Sequence, residues 1–112
     1  VFMYFDTFSN LRVEWTFAPG SSCATLGALW VAIDVSLPDE TFEFSNTVPC
    51  DLPSYMTRLA EDTFRIRVRA ISNSLTTVGV APDEEVVIGA GLTDLAVVLA
   101  PCGADCPEPP TN

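Results

Sequence analysis

Any chemistry in this chain has to come from cysteine, carboxylate and arginine, because its 112 residues include no histidine and no lysine. Without an imidazole, neither a Ser-His-Asp relay nor a Cys-His pair can be assembled within the chain. The 15 Asp and Glu residues offer carboxylate pairs of the kind glycoside hydrolysis uses, but no spacing singles out one pair. Gly89-Ala90-Gly91 lacks the remaining glycine and the following helix of a phosphate-binding loop. The expectation is a protein that is not an enzyme and uses no cofactor.

Two acidic and basic groupings remain. Asp83-Glu84-Glu85 sits beside a turn and could approach Asp39-Glu40 or Glu61-Asp62 at a loop end. Hard cations want several oxygens, so calcium is one reading. A solvated acidic turn is the primary one, since no D-x-D-x-D-G loop is present. Arg65, Arg67 and Arg69 alternate with Phe64, Ile66, Val68 and Ala70. A strand would align the three guanidiniums on one wet face, about 7 Å apart. There they pair across strands with Glu14, Asp34 or Glu43, or else form a patch for an acidic partner or glycan.

The cysteines are Cys23, Cys50, Cys102 and Cys106. Four cysteines allow three connectivities. Structural zinc favours C-x2-C knuckles or histidine ligands. Here the only close pair is C-x3-C, so disulfides are the main reading and an oxidising compartment follows. Cys23 precedes one strand-like run and Cys50 follows the next, with turn residues Pro38-Asp39-Glu40 between them. Both cysteines then reach the open end of one hairpin, which predicts Cys23–Cys50 and a local Cys102–Cys106 bridge in CGADC.

The elements that must position these groups repeat every two residues, not every 3.6. Leu11, Val13, Trp15 and Phe17 share one face of LRVEWTF. Leu29, Val31, Ile33, Val35 and Leu37 share one face of the next run. Phe42 and Phe44 are expected inward around Glu43, and Leu95, Val97 and Leu99 inward near the end. LTTVGVA and EEVVI supply two further strands, and only CATLGA suggests a helical turn. Turn clusters separate these runs every 8–12 residues, which predicts about seven short strands in a sandwich or barrel. Trp15, Ile33, Phe64, Ile66, Val68 and Val97 are the expected core.

Residues 13–17 (VEWTF), 23–28 (CATLGA), 31–33 (VAI), 48–50 (VPC) and 59–70 (LAEDTFRIRVRA) together resemble immunoglobulin-like domains. The likeness is to those of secreted lipoproteins and surface proteins of myxobacteria and related bacteria. It covers roughly residues 11–81, with Asp62 where a glycine is usual and Phe64 where a tyrosine is usual. The resemblance implies an immunoglobulin-like antiparallel β-sandwich, a secreted or cell-surface location and the Cys23–Cys50 bridge. It carries over no active-site residues.

The net charge of −10 excludes nucleic acid as a partner and disfavours an anionic membrane surface. No apolar run of about 20 residues exists to span a bilayer as a helix. The chain opens on Val1 and not on methionine, which suggests a processed product. Residues 1–106 read as one domain and 107–112, with three prolines, as a tail or linker. Hydrophobic residues make up 48% against 18% charged, a balance that favours burial against a neighbour. The apolar start Val1, Phe2, Met3, Tyr4 and Phe5 is either a first strand of the domain's own sheet or a strand added to a neighbouring subunit. The expected function is a non-catalytic extracellular structural or interaction module, a self-associating subunit of a surface assembly or filament. The alternative is a glycan- or calcium-binding module of a secreted lipoprotein.

Overall fold

Alternating apolar residues need one dry face each, and among the described residues eight short strands supply it. The structure is a computed structural model and describes residues 9–103 together with Cys106. The strands are β1 (Leu11–Phe17), β2 (Ala28–Ser36), β3 (Phe42–Pro49), β4 (Ser54–Thr57), β5 (Thr63–Ser72), β6 (Thr77–Val80), β7 (Glu84–Val87) and β8 (Thr93–Pro101). A single helical turn, α1 (Cys23–Leu26), precedes β2. Ser22 caps it in a reciprocal capping box with Thr25, and Gly27 ends it in the left-handed conformation at φ 71°. The fold is all-β, as the spacing predicts. The strand Ser54–Thr57 is an addition to the expected set.

Hydrogen-bonded neighbours run β3-β2-β5-β6-β8-β1-β4, with β7 also pairing β5. Most ladders are antiparallel, and the longest runs between β2 and β5, from Ala28–Ser72 to Ser36–Arg65. The expected purely antiparallel arrangement does not hold at one place. β1 and β8 pair in parallel from Leu11–Thr93 to Phe17–Leu99, so the sheet is mixed. Parallel neighbours need a long crossover, and here residues 18–92 form it.

The continuous sheet curls around one core. Leu11, Val13 and Trp15 of β1, with Val97 and Leu99 of β8, meet Val31, Ile33 and Val35 of β2 and Phe64, Ile66 and Val68 of β5 in one buried cluster. All six expected core residues are buried. The two strands at the ends of the path, β3 and β4, come close enough for Asn46 to donate to the Tyr55 hydroxyl. The sheet therefore nearly closes on itself, giving a shape close to a barrel.

Two tie points sit at the rims. The Trp15 indole donates to the Cys50 carbonyl at 3.2 Å, which joins β1 to the end of β3. Asn10, 3% exposed, behaves as an extra piece of ladder. Its amide donates to the Leu59 carbonyl at 2.7 Å and accepts from the Leu59 N–H at 2.8 Å. Its own backbone bonds to Thr57 and Thr93. The cysteines pair as Cys23–Cys50 and Cys102–Cys106.

Candidate functional site

The outer face of β2 and β5 carries the arginine row, and the register decides which acids meet it. Cross-strand partners are Ala32–Arg69, Asp34–Arg67 and Ser36–Arg65. The row is not uniformly wet, which corrects the sequence expectation. Arg69 is 4% exposed and Asp34 is 7% exposed. They form a two-pronged pair, with Nε to Oδ2 at 2.5 Å and Nη2 to Oδ1 at 3.0 Å. Thr77 accepts from Arg69 Nη1 at 3.0 Å, and Ser45 donates to Asp34 at 2.6 Å. The cost of burying this pair is offset by the bonds the two side chains make to each other and to Thr77 and Ser45.

The other arginines are nearer solvent. Arg67 makes a two-pronged contact with Asp83 at 2.8 and 3.1 Å. That hydrogen bond raises the Arg67 pKa further above its ordinary value, against the opposing effect of burial. Arg65 reaches Glu40 at 3.3 Å. On β1, Arg12 bonds Asp94 of β8 at 2.5 Å. Of the expected acid partners Glu14, Asp34 and Glu43, Asp34 joins the β5 row and Glu14 lies near Arg12 instead; the other two acids on the row, Glu40 and Asp83, come from turns.

These groups line a small pocket of about 160 Å3, walled by Asp34, Ser36, Glu40, Phe42, Arg65, Arg67 and Asp83. Phe42 is there because of a bulge. β3 pairs Val35 with Phe44 but Ser36 with Phe42, so Glu43 is the extra residue and the side chains before it change face. Phe44 stays on the core, while Phe42 moves to the charged face, contrary to the expectation that both point inward. Glu40 enters from the β2–β3 turn with φ 73°, a left-handed conformation uncommon for a residue with a Cβ. The turn closes through Leu37 and Thr41. Asp39 accepts from the Thr41 N–H at 3.0 Å. Bonds from the Thr41 side chain and backbone hold the Asp39 pKa below its ordinary value.

The acidic run divides between the pocket and solvent. Asp83 joins Glu40 and Asp34 at the pocket, as the proximity reading expects, but each is held by an arginine. Glu84 and Glu85 are exposed. Among the described residues no group of three or more His, Cys, Asp or Glu is placed to hold a metal ion.

A second concavity lies at the disulfide end. Ala24, Leu29, Trp30, Pro49 and the Cys23–Cys50 bridge line an open, mainly apolar cleft of about 530 Å3. Leu29 is 52% and Trp30 37% exposed. Leu29 is expected inward, but the β2–β5 register slips between Ala28 and Trp30 and turns it out. No sequence signal marks that slip. Val1, Phe2, Met3, Tyr4 and Phe5, the predicted interface, lie outside the described residues.

Among the described residues no helix is long and apolar enough to cross a membrane. No family model matches this chain, and no curated protein or solved structure shows significant similarity to it.

Proposed function

We propose that this domain is a non-catalytic structural or interaction module of a surface assembly, working outside the reducing cytoplasm. The observation that carries the reading is the apolar cleft beside the Cys23–Cys50 bridge. Leu29 and Trp30 stand in the open there, on a strand whose remaining apolar residues are buried. Large exposed apolar side chains clustered in a concavity are the usual mark of a contact surface, and Trp is the residue most often found at its energetic centre. All four cysteines are bonded, which supports a non-reducing compartment. The paired arginines support an interaction role over anion capture, since Arg12, Arg65, Arg67 and Arg69 already have carboxylates.

The finer fold reading, an immunoglobulin-like sandwich, belongs to the same proposal. It is supported by eight strands among the described residues and by a buried tryptophan that bonds the carbonyl of a disulfide cysteine. The bridge closes one hairpin instead of pinning two layers together, and that is where the resemblance is loosest.

Light scattering tests the assembly reading. The full chain, a Trp30→Glu variant and a version lacking residues 1–5 are compared across concentration and ionic strength. The charge of −10 opposes association, so the apparent mass of the full chain should rise as salt screens repulsion. Trp30→Glu should remain a monomer. If the full chain also stays monomeric at high concentration and high salt, the assembly reading fails and the ligand-binding alternative leads.

A further inference from the structure

We propose that the pocket on the arginine face is a binding site for a neutral, polyhydroxylated ligand the size of one sugar ring. The argument begins with charge. The chain carries −10 overall, yet the cluster around this pocket is balanced. Asp34, Glu40 and Asp83 oppose Arg65, Arg67 and Arg69, one partner each. An incoming anion would have to take Arg67 from its two-pronged hold on Asp83, and an incoming cation would have to strip a carboxylate from its guanidinium. A neutral ligand needs neither exchange.

The lining also offers what hydroxyl groups use. Carboxylates accept, guanidiniums donate and the Ser36 hydroxyl does both. Each ion is already held by its partner, so the polar groups are oriented before any ligand arrives, which lowers the cost of binding. The pocket has one apolar wall, Phe42. It is delivered to a charged face by the bulge at Glu43, and bulges re-aim side chains in this way next to functional sites. An aromatic face beside a ring of hydrogen-bonding groups suits an object with an apolar face and a polar rim. Glu40, held at φ 73°, lies on the same pocket, and such backbone outliers gather at ligand clamps. The volume of about 160 Å3 is roughly half the lower end of drug-sized pockets, about 300 Å3, which limits the occupant to a single ring or the end of a chain.

This site shares no lining residue with the apolar cleft, so its test is independent of the assembly reading. The experiment is a 15N–1H NMR titration of the full, disulfide-bonded protein. The titrants are glucose, galactose, mannose and N-acetylglucosamine, with glucuronate and glucosamine as charged counterparts. At least one neutral sugar should give saturable shifts at the amides of Ser36, Phe42 and Arg65. A ligand of this size at ordinary efficiency should show a dissociation constant on the order of millimolar. Phe42→Ala should weaken that binding roughly tenfold or more by removing the stacking wall, Phe42→Trp should keep it, and Arg65→Gln should weaken it with the wall intact. The proposal is overturned if no neutral sugar saturates the pocket. It is equally overturned if a charged counterpart binds as tightly, or if Phe42→Ala and Arg65→Gln both bind like the parent.

Discussion

Arg69→Met should be among the most damaging single substitutions on the outer face of this domain. In the parent, Asp34 takes two bonds from Arg69 and one from Ser45. Methionine removes the two charge-assisted bonds and leaves a carboxylate 7% exposed with the Ser45 hydroxyl as its remaining hydrogen-bond partner. Breaking a buried pair from one side costs about 3–5 kcal/mol. That is a large part of the 5–15 kcal/mol that holds a typical domain together. For a chain of this length it corresponds to a fall in Tm of roughly 15–30 °C. Arg67→Met is the internal control. Its pair with Asp83 has equally good geometry, but both side chains are about a third exposed, so the loss should be no more than about 1 kcal/mol. The double replacement Asp34→Leu with Arg69→Met should recover much of the loss, because two apolar groups in place of a buried pair are often neutral or better. Urea denaturation of the three variants and the Asp34→Leu single mutant completes a cycle. Equal costs for Arg69→Met and Arg67→Met, both below about 1 kcal/mol, would refute the burial argument.

Three further outcomes are expected. Val68→Asp should unfold the domain, since it places an unpaired charge at a position 1% exposed; Arg67→Asp should be far better tolerated, and circular dichroism at room temperature separates them. Asn10→Ala should cost about 2–3 kcal/mol, because two buried backbone groups of Leu59 lose their partner, and hydrogen exchange at the Leu59 amide should accelerate. The Asp39 carboxyl should titrate below its ordinary value because Thr41 bonds favour the charged form. Its depressed folded pKa means the stabilisation is present above the unfolded value of 3.8 and is lost as pH falls through the folded one. A 13C-detected titration checks this, and Asp39→Asn should remove the pH dependence of the turn.

Much of the fold is legible in the amino-acid order wherever one face of a strand is dry and the other wet. β1, β5 and β8 carry strict alternation, and their inward residues are buried in the core or packed half-buried against it. Alternation reports which face a side chain takes, not whether that face is covered. Arg69 and Asp34 therefore read as wet and are buried. It also assumes an unbroken register, and single-residue slips at Ala28–Trp30 and at Glu43 undo the assignments of Leu29 and Phe42. Both slips shape a concavity, so the alternation misplaces a lining residue of each, Leu29 in one and Phe42 in the other. β4 has the sequence SYMT just after Pro53 and no alternating signal; its strand character comes from pairing with β1. Asn10 is equally silent, since its role depends on Leu59, 49 residues away. The cysteine pairing was readable because a hairpin turn and a four-residue spacing are local geometry.

The parallel pairing of β1 with β8 sets the order in which the domain can be made. Arg12 and Asp94, which bond across this ladder, are 82 residues apart. The β2–β3 hairpin and its β5 neighbour need only short loops to close. The β1–β8 ladder must wait until nearly all of the domain has emerged, and long-range pairing of this kind places folding in the millisecond-to-second range. Until β8 arrives, the β1 edge that it covers and the β6 edge that it touches through Gly79 and Val80 are both unsatisfied. A nascent or truncated chain ending before Thr93 would thus expose two sticky edges where the finished domain has a filled slot. During synthesis, the vulnerability to mispairing lasts until the final strand is released.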